Sequence, residues 1–187
     1  SQQDLQALAA ADALASLSGH RRQQMWDAAA QHAAPPLWRD VPVHEAPLQL
    51  PEAPEGEEIV FDYAATGLTL RRHPLALLRP RLARWRLKTA LQLHNAAHGR
   101  KVRACGVVTV RQRPGTAKGT MFVTLEDETG PVNVIVWPAM VDVWRNALLR
   151  SQLLAVEGVW QCSPGALGSK AMVRHLVAQR FKDLTPL

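Results

Sequence analysis

The 187 residues predict an α+β chain: an N-terminal helical segment and a proline-rich linker, followed by a five-stranded β-barrel in the order β-β-β-α-β-β. Three observations carry this. Apolar residues recur every three or four positions before Gly99 and alternate after it, the change from helical to strand periodicity. Six prolines (Pro35, Pro36, Pro42, Pro47, Pro51, Pro54) crowd residues 35 to 58, where no periodicity is sustained. Helical spacing then returns once, over residues 138 to 151, with strand-like runs on both sides.

In order, residues 4 to 17, rich in Ala and Leu, predict a helix that Ser18-Gly19 stops. A second runs from about His20 through Arg21, Arg22, Met25 and Trp26 to about His32, ended by Ala34-Pro35-Pro36. Joined by a glycine turn, the two make an α-hairpin, either a packing element or half of a helix-hairpin-helix that holds DNA backbone through turn amides. Residues 35 to 58, with acids at Glu52 to Glu58, read as a partly extended linker. A short helix over 59 to 70 ends near Gly67. Arg71-Arg72-His73-Pro74 then opens two basic helices, 75 to 86 and 89 to 98, the second with Thr89 as N-cap and Gly99 past its end.

Strands are predicted over 101 to 112, 120 to 127, 131 to 137, 153 to 162 and 170 to 178, rich in Val, Thr and Trp, with breaks at Pro114-Gly115, Thr129-Gly130 and Pro164-Gly165. Between the third and fourth, Met140, Val143, Trp144, Ala147 and Leu148 form one apolar stripe. That helix plugs the open end of an OB-fold, a Greek-key barrel whose strand 2 to 3 face and loops 12 and 45 bind oligonucleotides. An up-and-down sandwich competes, but gives no reason for a helix at that point. The expected organisation is a helical hairpin (1 to 34), linker (35 to 58), basic helical connector (59 to 99) and OB-fold (100 to 180).

Charge is divided. The net +6 conceals −7 over residues 1 to 65 and +13 over 66 to 187, and residues 71 to 118 hold 13 Lys/Arg and no acid. A polyanionic partner follows. No apolar run approaches the roughly 18 residues of a membrane span, and no basic segment precedes an apolar core at the start, so a cytoplasmic chain without membrane or secretory signal is expected. The chain starts without Met, which suggests a fragment. Two cysteines, Cys105 and Cys162, without a C-x-x-C argue against zinc and disulfides. His94 and His98 stand four apart on a helix, but no carboxylate or thiol completes a metal shell.

The loop after the first strand, residues 111 to 119, sets Arg111, Arg113, Thr116 and Lys118 among glycines, so side chains and bare amides can both reach phosphate oxygens. It is no Walker loop, since it opens into a strand and lacks the motif. A solvated hairpin loop is the plain alternative. With Met121, Val123 and Leu125 inside the barrel, Phe122 and Thr124 face out, as do Asn133, Ile135 and Trp137 on the third strand. Phe122 and Trp137 then suit either base stacking, at ~1 to 3 kcal/mol per base, or the core. Arg103 and Lys170 complete the candidate nucleic-acid set. Arg71, Arg72, Arg79, Arg81, Arg84, Arg86 and Lys88 form a secondary basic surface. Glu126-Asp127-Glu128 tempts toward a carboxylate site, but Asp and Gly at the following turn are what backbone geometry favours. No nucleophile-base arrangement is apparent, and no catalytic residue is assigned.

Residues 107 to 119, 122 to 130 and 134 to 138, with the segment 64 to 75 and the Gly-His-Arg-Arg turn within Ala9 to Trp26, resemble the C-terminal region of the bacterial error-prone, translesion DNA polymerases of the C family, relatives of the replicative polymerase III α subunit. The resemblance implies the tail of a longer polymerase whose catalytic carboxylates, with Mg²⁺ as cofactor, lie in a preceding palm domain; the chain alone is expected to be inactive and to need no cofactor. It implies an OB-fold near single-stranded template DNA. It also implies SOS mutagenesis beside an inactive Y-family-like scaffold subunit and a RecA-like accessory protein, in a nucleoid-associated mutasome. The stretch comparable to the replicative clamp-binding motif, Leu48-Gln49-Leu50-Pro51-Glu52-Ala53, lacks a terminal aromatic, so attachment to the sliding clamp is expected to be indirect. A tRNA anticodon-binding OB module of a synthetase and a pure protein-interaction module are the alternatives.

Overall fold

The computed structural model describes residues 1–31, 46, 48–164 and 172–186, which divide into two compact units, Ser1–Arg72 and His73–Leu187.

The first unit is helical. α1 (Gln2–Ala10) opens with a capping box between Ser1 and Asp4. A short α2 (Ala15–Ser18) follows, then α3 (Arg21–Ala30), whose N-cap His20 accepts from the Gln23 amide, and α4 (Glu55–Thr66), which Gly67 ends in a left-handed conformation at φ 75°. The expected single helix over 4 to 17 is broken in two. Asp12 sits at φ 60°, and its carboxylate accepts from Gln24 Nε2 and Arg71 Nη2, each at 2.7 Å. Those partners stand 12 and 59 residues away, so local spacing carried no sign of the break. α4 starts at Glu55, four residues before the expected start: Glu55, Glu57 and Glu58 occupy its first turn, where the helix dipole favours acids.

A buried charge network holds this unit together. Arg21 is 1% exposed, and its guanidinium donates to the Asp62 carboxylate and to the Glu58 carbonyl (3.3 Å). Asp62 also accepts from Thr69 Oγ1 (2.5 Å) and Arg71 (2.8 Å), while Arg71 reaches Asp12 and lies 3.1 Å from Glu58. Burial alone would raise the Asp62 carboxyl; the bonds from Thr69, Arg21 and Arg71 override it and hold it at about 2.

The second unit opens with α5 (Pro74–Arg84), Pro74 at its first position, and α6 (Ala90–His94), which starts with a Thr89/Gln92 capping box. Five strands follow: β1 (Lys101–Gln112), β2 (Met121–Asp127), β3 (Gly130–Val136), β4 (Leu153–Pro164) and β5 (Met172–Asp183). They close into a barrel in the order β1-β2-β3-β5-β4, antiparallel except where β3 meets β5. The α+β class, the five-stranded barrel and the placing of helix between the third and fourth strands match the expectation. The predicted helix between β3 and β4 is two helices, α7 (Pro138–Val143) and α8 (Arg145–Arg150), parted at Trp144. Met140, Trp144, Ala147 and Leu148 pack inward as expected, but Val141 completes the stripe in place of Val143, which is 73% exposed.

The alternation fills the barrel. Met121, Val123 and Leu125 of β2, with Val132, Val134 and Val136 of β3, point inward against Leu154, Trp160 and Leu176; Leu93 and Leu148 join them from α6 and α8. Two glycines permit the close strand approach. A Cβ on Gly158 would come 2.0 Å from the Val177 carbonyl oxygen, and one on Gly106 2.7 Å from the Glu126 amide. A second cluster lies outside the barrel, where Leu75, Leu82 and Leu87 pack on Cys105, Leu153 and Ala155. Burial pushes the Cys105 thiol up to about 11, so it behaves as a small apolar side chain.

Candidate nucleic-acid interface

The outward rows of β1, β2 and β3 build one face. Gln112, Phe122 and Ile135 stand side by side in the register, and Val110, Thr124 and Asn133 form the next row; a register shift between Val108 and Val110 restores the phase. Phe122 is 38% exposed. Trp137, two residues beyond Ile135, is 53% exposed and N-caps α7. Phe122 and Trp137 are thus diagonal neighbours across an antiparallel pair, within reach of a shared ligand. Both alternatives left open for them, core or outward, resolve outward, and Asn133 is exposed beside Thr124.

The loop between β1 and β2 contains a 3₁₀ turn over Gly115–Ala117, followed by Lys118 at φ 47° and Gly119 at φ 85°. Lys118 therefore keeps a left-handed backbone without the freedom of glycine. Arg113, Thr116 and Lys118 are exposed, and among the described residues neither Arg113 nor Lys118 makes an ion pair. Arg111 differs. Its guanidinium donates to the Leu148 carbonyl (2.6 Å) and to that of Ser151, sealing the open C-terminal carbonyls of α8, where a cation is favoured. Arg103 pairs with Glu157 (2.6 Å). Lys170 lies outside the described residues.

Several members of the secondary basic set are engaged within their own unit. Arg71 is spent on Asp12, Glu58 and Asp62, and Arg72 on Glu55. Arg79 is half-buried between Glu128 (2.7 Å), Asp127 (3.5 Å) and the Leu87 carbonyl. Burial would raise the Glu128 carboxyl, but Arg79 holds it below its ordinary value. Arg81 lies 5.5 Å over the Trp85 ring. Arg84, Arg86 and Lys88 line clefts in company the sequence reading missed: Arg100 just before β1, Lys101 at its start, and Arg180 and Lys182 on β5. The signal was there, since 101/103 and 180/182 alternate like strand residues with one cationic face. Two of the three acids in the triplet are structural, Glu128 through Arg79 and Asp127 through backbone amides. Asp127 accepts from the Thr129 and Gly130 amides at its turn and from the Ala90 amide at the start of α6. Among the described residues no group of three or more His, Cys, Asp or Glu is placed to hold a metal, and no helix is long and apolar enough to cross a membrane.

A closed β1-β2-β3-β5-β4 barrel, with Phe122 and Trp137 exposed on its strand 2 to 3 face and a cationic loop at the edge, has the architecture of an OB-fold. Residues 102–184 accordingly match the family model described as an OB-fold nucleic acid binding domain. Over nearly all its length the chain is similar to proteins named error-prone DNA polymerase. It is 53% identical over 190 residues to that of Ralstonia nicotianae and 53% over 185 residues to that of Burkholderia pseudomallei, covering 98% of this chain and 17% of each relative. The resemblance read from the sequence is thus the name these relatives carry. The chain spans about a sixth of their length. Among solved structures it is similar to asparaginyl-tRNA synthetase from Pyrococcus horikoshii, at 23% identity and TM-score 0.37, over 46% of this chain and 20% of that one.

Proposed function

We propose that this chain is the non-catalytic C-terminal part of an error-prone DNA-directed DNA polymerase acting in translesion synthesis and SOS mutagenesis, and that its barrel holds single-stranded template DNA on the β1-β2-β3 face. The observation that carries this is the exposed pair Phe122 and Trp137, set beside a loop whose Arg113 and Lys118 have no ion pair among the described residues. Stacking on the rings tolerates any base, while the cations follow the backbone; a polymerase that must accept damaged template needs contacts blind to base identity. Nucleotidyl transfer, with its Mg²⁺ held by carboxylates, belongs to the rest of the parent polymerase. A synthetase module is disfavoured because the polymerase relatives align over the helical unit as well as the barrel.

In the same reading the parent works in the bacterial cytoplasm at the nucleoid, beside an inactive Y-family-like scaffold subunit and a RecA-like accessory protein, and reaches the sliding clamp through the scaffold. The missing aromatic after Gln49 and Leu50 supports that indirect route.

The test is fluorescence anisotropy with a labelled oligothymidylate across a salt series. Phe122→Ala with Trp137→Ala is expected to weaken binding with the salt slope unchanged. Arg113→Ala with Lys118→Ala is expected to flatten the slope by roughly 0.7 per lost phosphate contact. Arg111 is left intact because it holds α8. Unchanged affinity in both double variants would sink the assignment of this face.

A further inference from the structure

A second basic groove lies on another face of the barrel unit, built from the N-terminal half of β1 with β4 and β5. Two adjoining clefts, of about 610 Å³ and 400 Å³, share Arg86, Arg103 and Glu157. Arg84 lines them from the end of α5, and Arg86 and Lys88 from the segment after it. Arg100, Lys101 and Arg103 line them from the start of β1, and Arg180 and Lys182 from the end of β5. Glu157 of β4 is the single acid. In the register it stands directly between Arg103 and Arg180, and it is already paired with Arg103. The other seven cations make no ion pair among the described residues.

The backbone at Arg86 is a second, independent sign. Arg86 sits at φ 58°. The Leu87 amide donates to the Leu82 carbonyl (3.2 Å) and the Arg86 amide to that of Ala83 (2.9 Å), the two bonds of a Schellman cap. Leu82 and Leu87, the two residues whose contact accompanies that motif, are both buried in the outer cluster. Arg86 therefore occupies the one position of the cap where glycine is preferred, and it keeps a cation in the groove at the expense of local geometry.

We propose that this groove is a second nucleic-acid track, one that holds the phosphodiester backbone of a single strand separately from the β1-β2-β3 face. The lining favours a polyanion of regular charge over a folded or peptide partner. Trp85, 37% exposed, already has Arg81 at 5.5 Å and Lys182 at 5.3 Å against its ring. Phe181 and Trp144 at the floor pack on one another, with centroids 6.0 Å apart, and Phe181 belongs to the core. The larger cleft keeps an open apolar floor that includes Trp85, Leu87 and Trp144, on which bases can lie, and cations on three chain segments around it suit repeated phosphates. With both tracks filled, one module holds two stretches of strand. The inference shares with the proposed function only the ligand class, and it stands or falls on different residues.

The experiment uses the 187-residue chain, a labelled oligothymidylate and a salt titration. Arg86→Gly, Lys101→Ala and Arg180→Ala are combined, the first chosen because glycine suits φ 58° and keeps the cap. The log-log salt slope is expected to fall by roughly two, since each lost phosphate contact removes about 0.7, while circular dichroism stays that of the parent. Adding Phe122→Ala and Trp137→Ala should then lower affinity further without changing the slope again. A slope unaltered by the triple variant overturns the second track, and leaves the strand 2 to 3 face standing if its own variants still weaken binding. Slope loss in the triple variant with no effect from Phe122→Ala and Trp137→Ala supports the groove and overturns that face instead. Binding of a labelled polyglutamate peptide that the triple variant abolishes, with oligonucleotide binding intact, assigns the groove to an acidic protein and overturns the proposal.

Discussion

The helical unit and the barrel unit use arginine in opposite ways. Residues 1 to 72 carry net −5, and each of their four described arginines, Arg21, Arg22, Arg71 and Arg72, faces carboxylates of the same unit. Residues 73 to 187 carry net +11, and among their described residues only Arg79 and Arg103 are ion-paired. One unit consumes its described arginines in ion pairs; the other leaves most of its described cations without one. A count of charge along the chain therefore overstates the surface available to DNA at one end of the basic span and misses it at the other.

The largest effect that would sharpen this contrast is expected at Arg21. Replacing it with Ala leaves Glu58 and Asp62 only the more exposed Arg71, and breaking a buried pair costs about 3 to 5 kcal/mol. Amide hydrogen exchange should show α3 and α4 losing most of their protection. If Arg21→Ala leaves that protection intact, the network is ornamental and the contrast fails. The barrel should be vulnerable through shape instead. In Gly158→Ala the new methyl meets the Val177 carbonyl, an overpacking that costs about 1 to 3 kcal/mol, while Gly115→Ala, with open space around it, should be near neutral. Urea unfolding of both variants measures the difference; equal midpoints would show that the β4/β5 approach relaxes freely.

What was legible in the sequence follows the same division. The barrel could be read because each strand obeys a local period: Phe122 and Trp137 face outward where alternation put them. Long-range pairing could not be read. The helix break at Asp12 depends on Arg71, and Arg111 looked like a loop cation because its acceptors, Leu148 and Ser151, lie on an element 37 and 40 residues away. Arg180 and Lys182 escaped notice because the predicted last strand stopped at residue 178, whereas β5 runs on to Asp183.

Acid is the next test. Because the folded-state value of Asp62 lies near 2, below its ordinary 3.8, its contribution is complete above about pH 4 and lost as the pH falls toward 2. Hydrogen exchange or circular dichroism over that window should show the helical unit loosening. Asp62→Asn should remove this part of the acid sensitivity, at a cost to stability near neutral pH. A helical unit equally protected at pH 4 and pH 2 would mean that the arginines hold it without the Asp62 charge.

The smallest stability effect is expected where the barrel does pair its charges. Arg103 and Glu157 have side chains 53% and 30% exposed, so the pair is worth about 0 to 1 kcal/mol. Arg103→Ala should therefore leave the urea midpoint nearly unmoved, yet it withdraws a cation from the groove and leaves Glu157 beside Arg180 with its charge uncovered. Affinity for an oligonucleotide should fall by more than neutral removal of one contact predicts. Adding Glu157→Gln to Arg103→Ala should restore part of it, and Glu157→Gln alone should tighten binding, since the groove's one acid is gone. A shift in the urea midpoint larger than about 1 kcal/mol for Arg103→Ala would show that the barrel, like the helical unit, spends its arginines on its own fold, and the contrast between the two regions would dissolve.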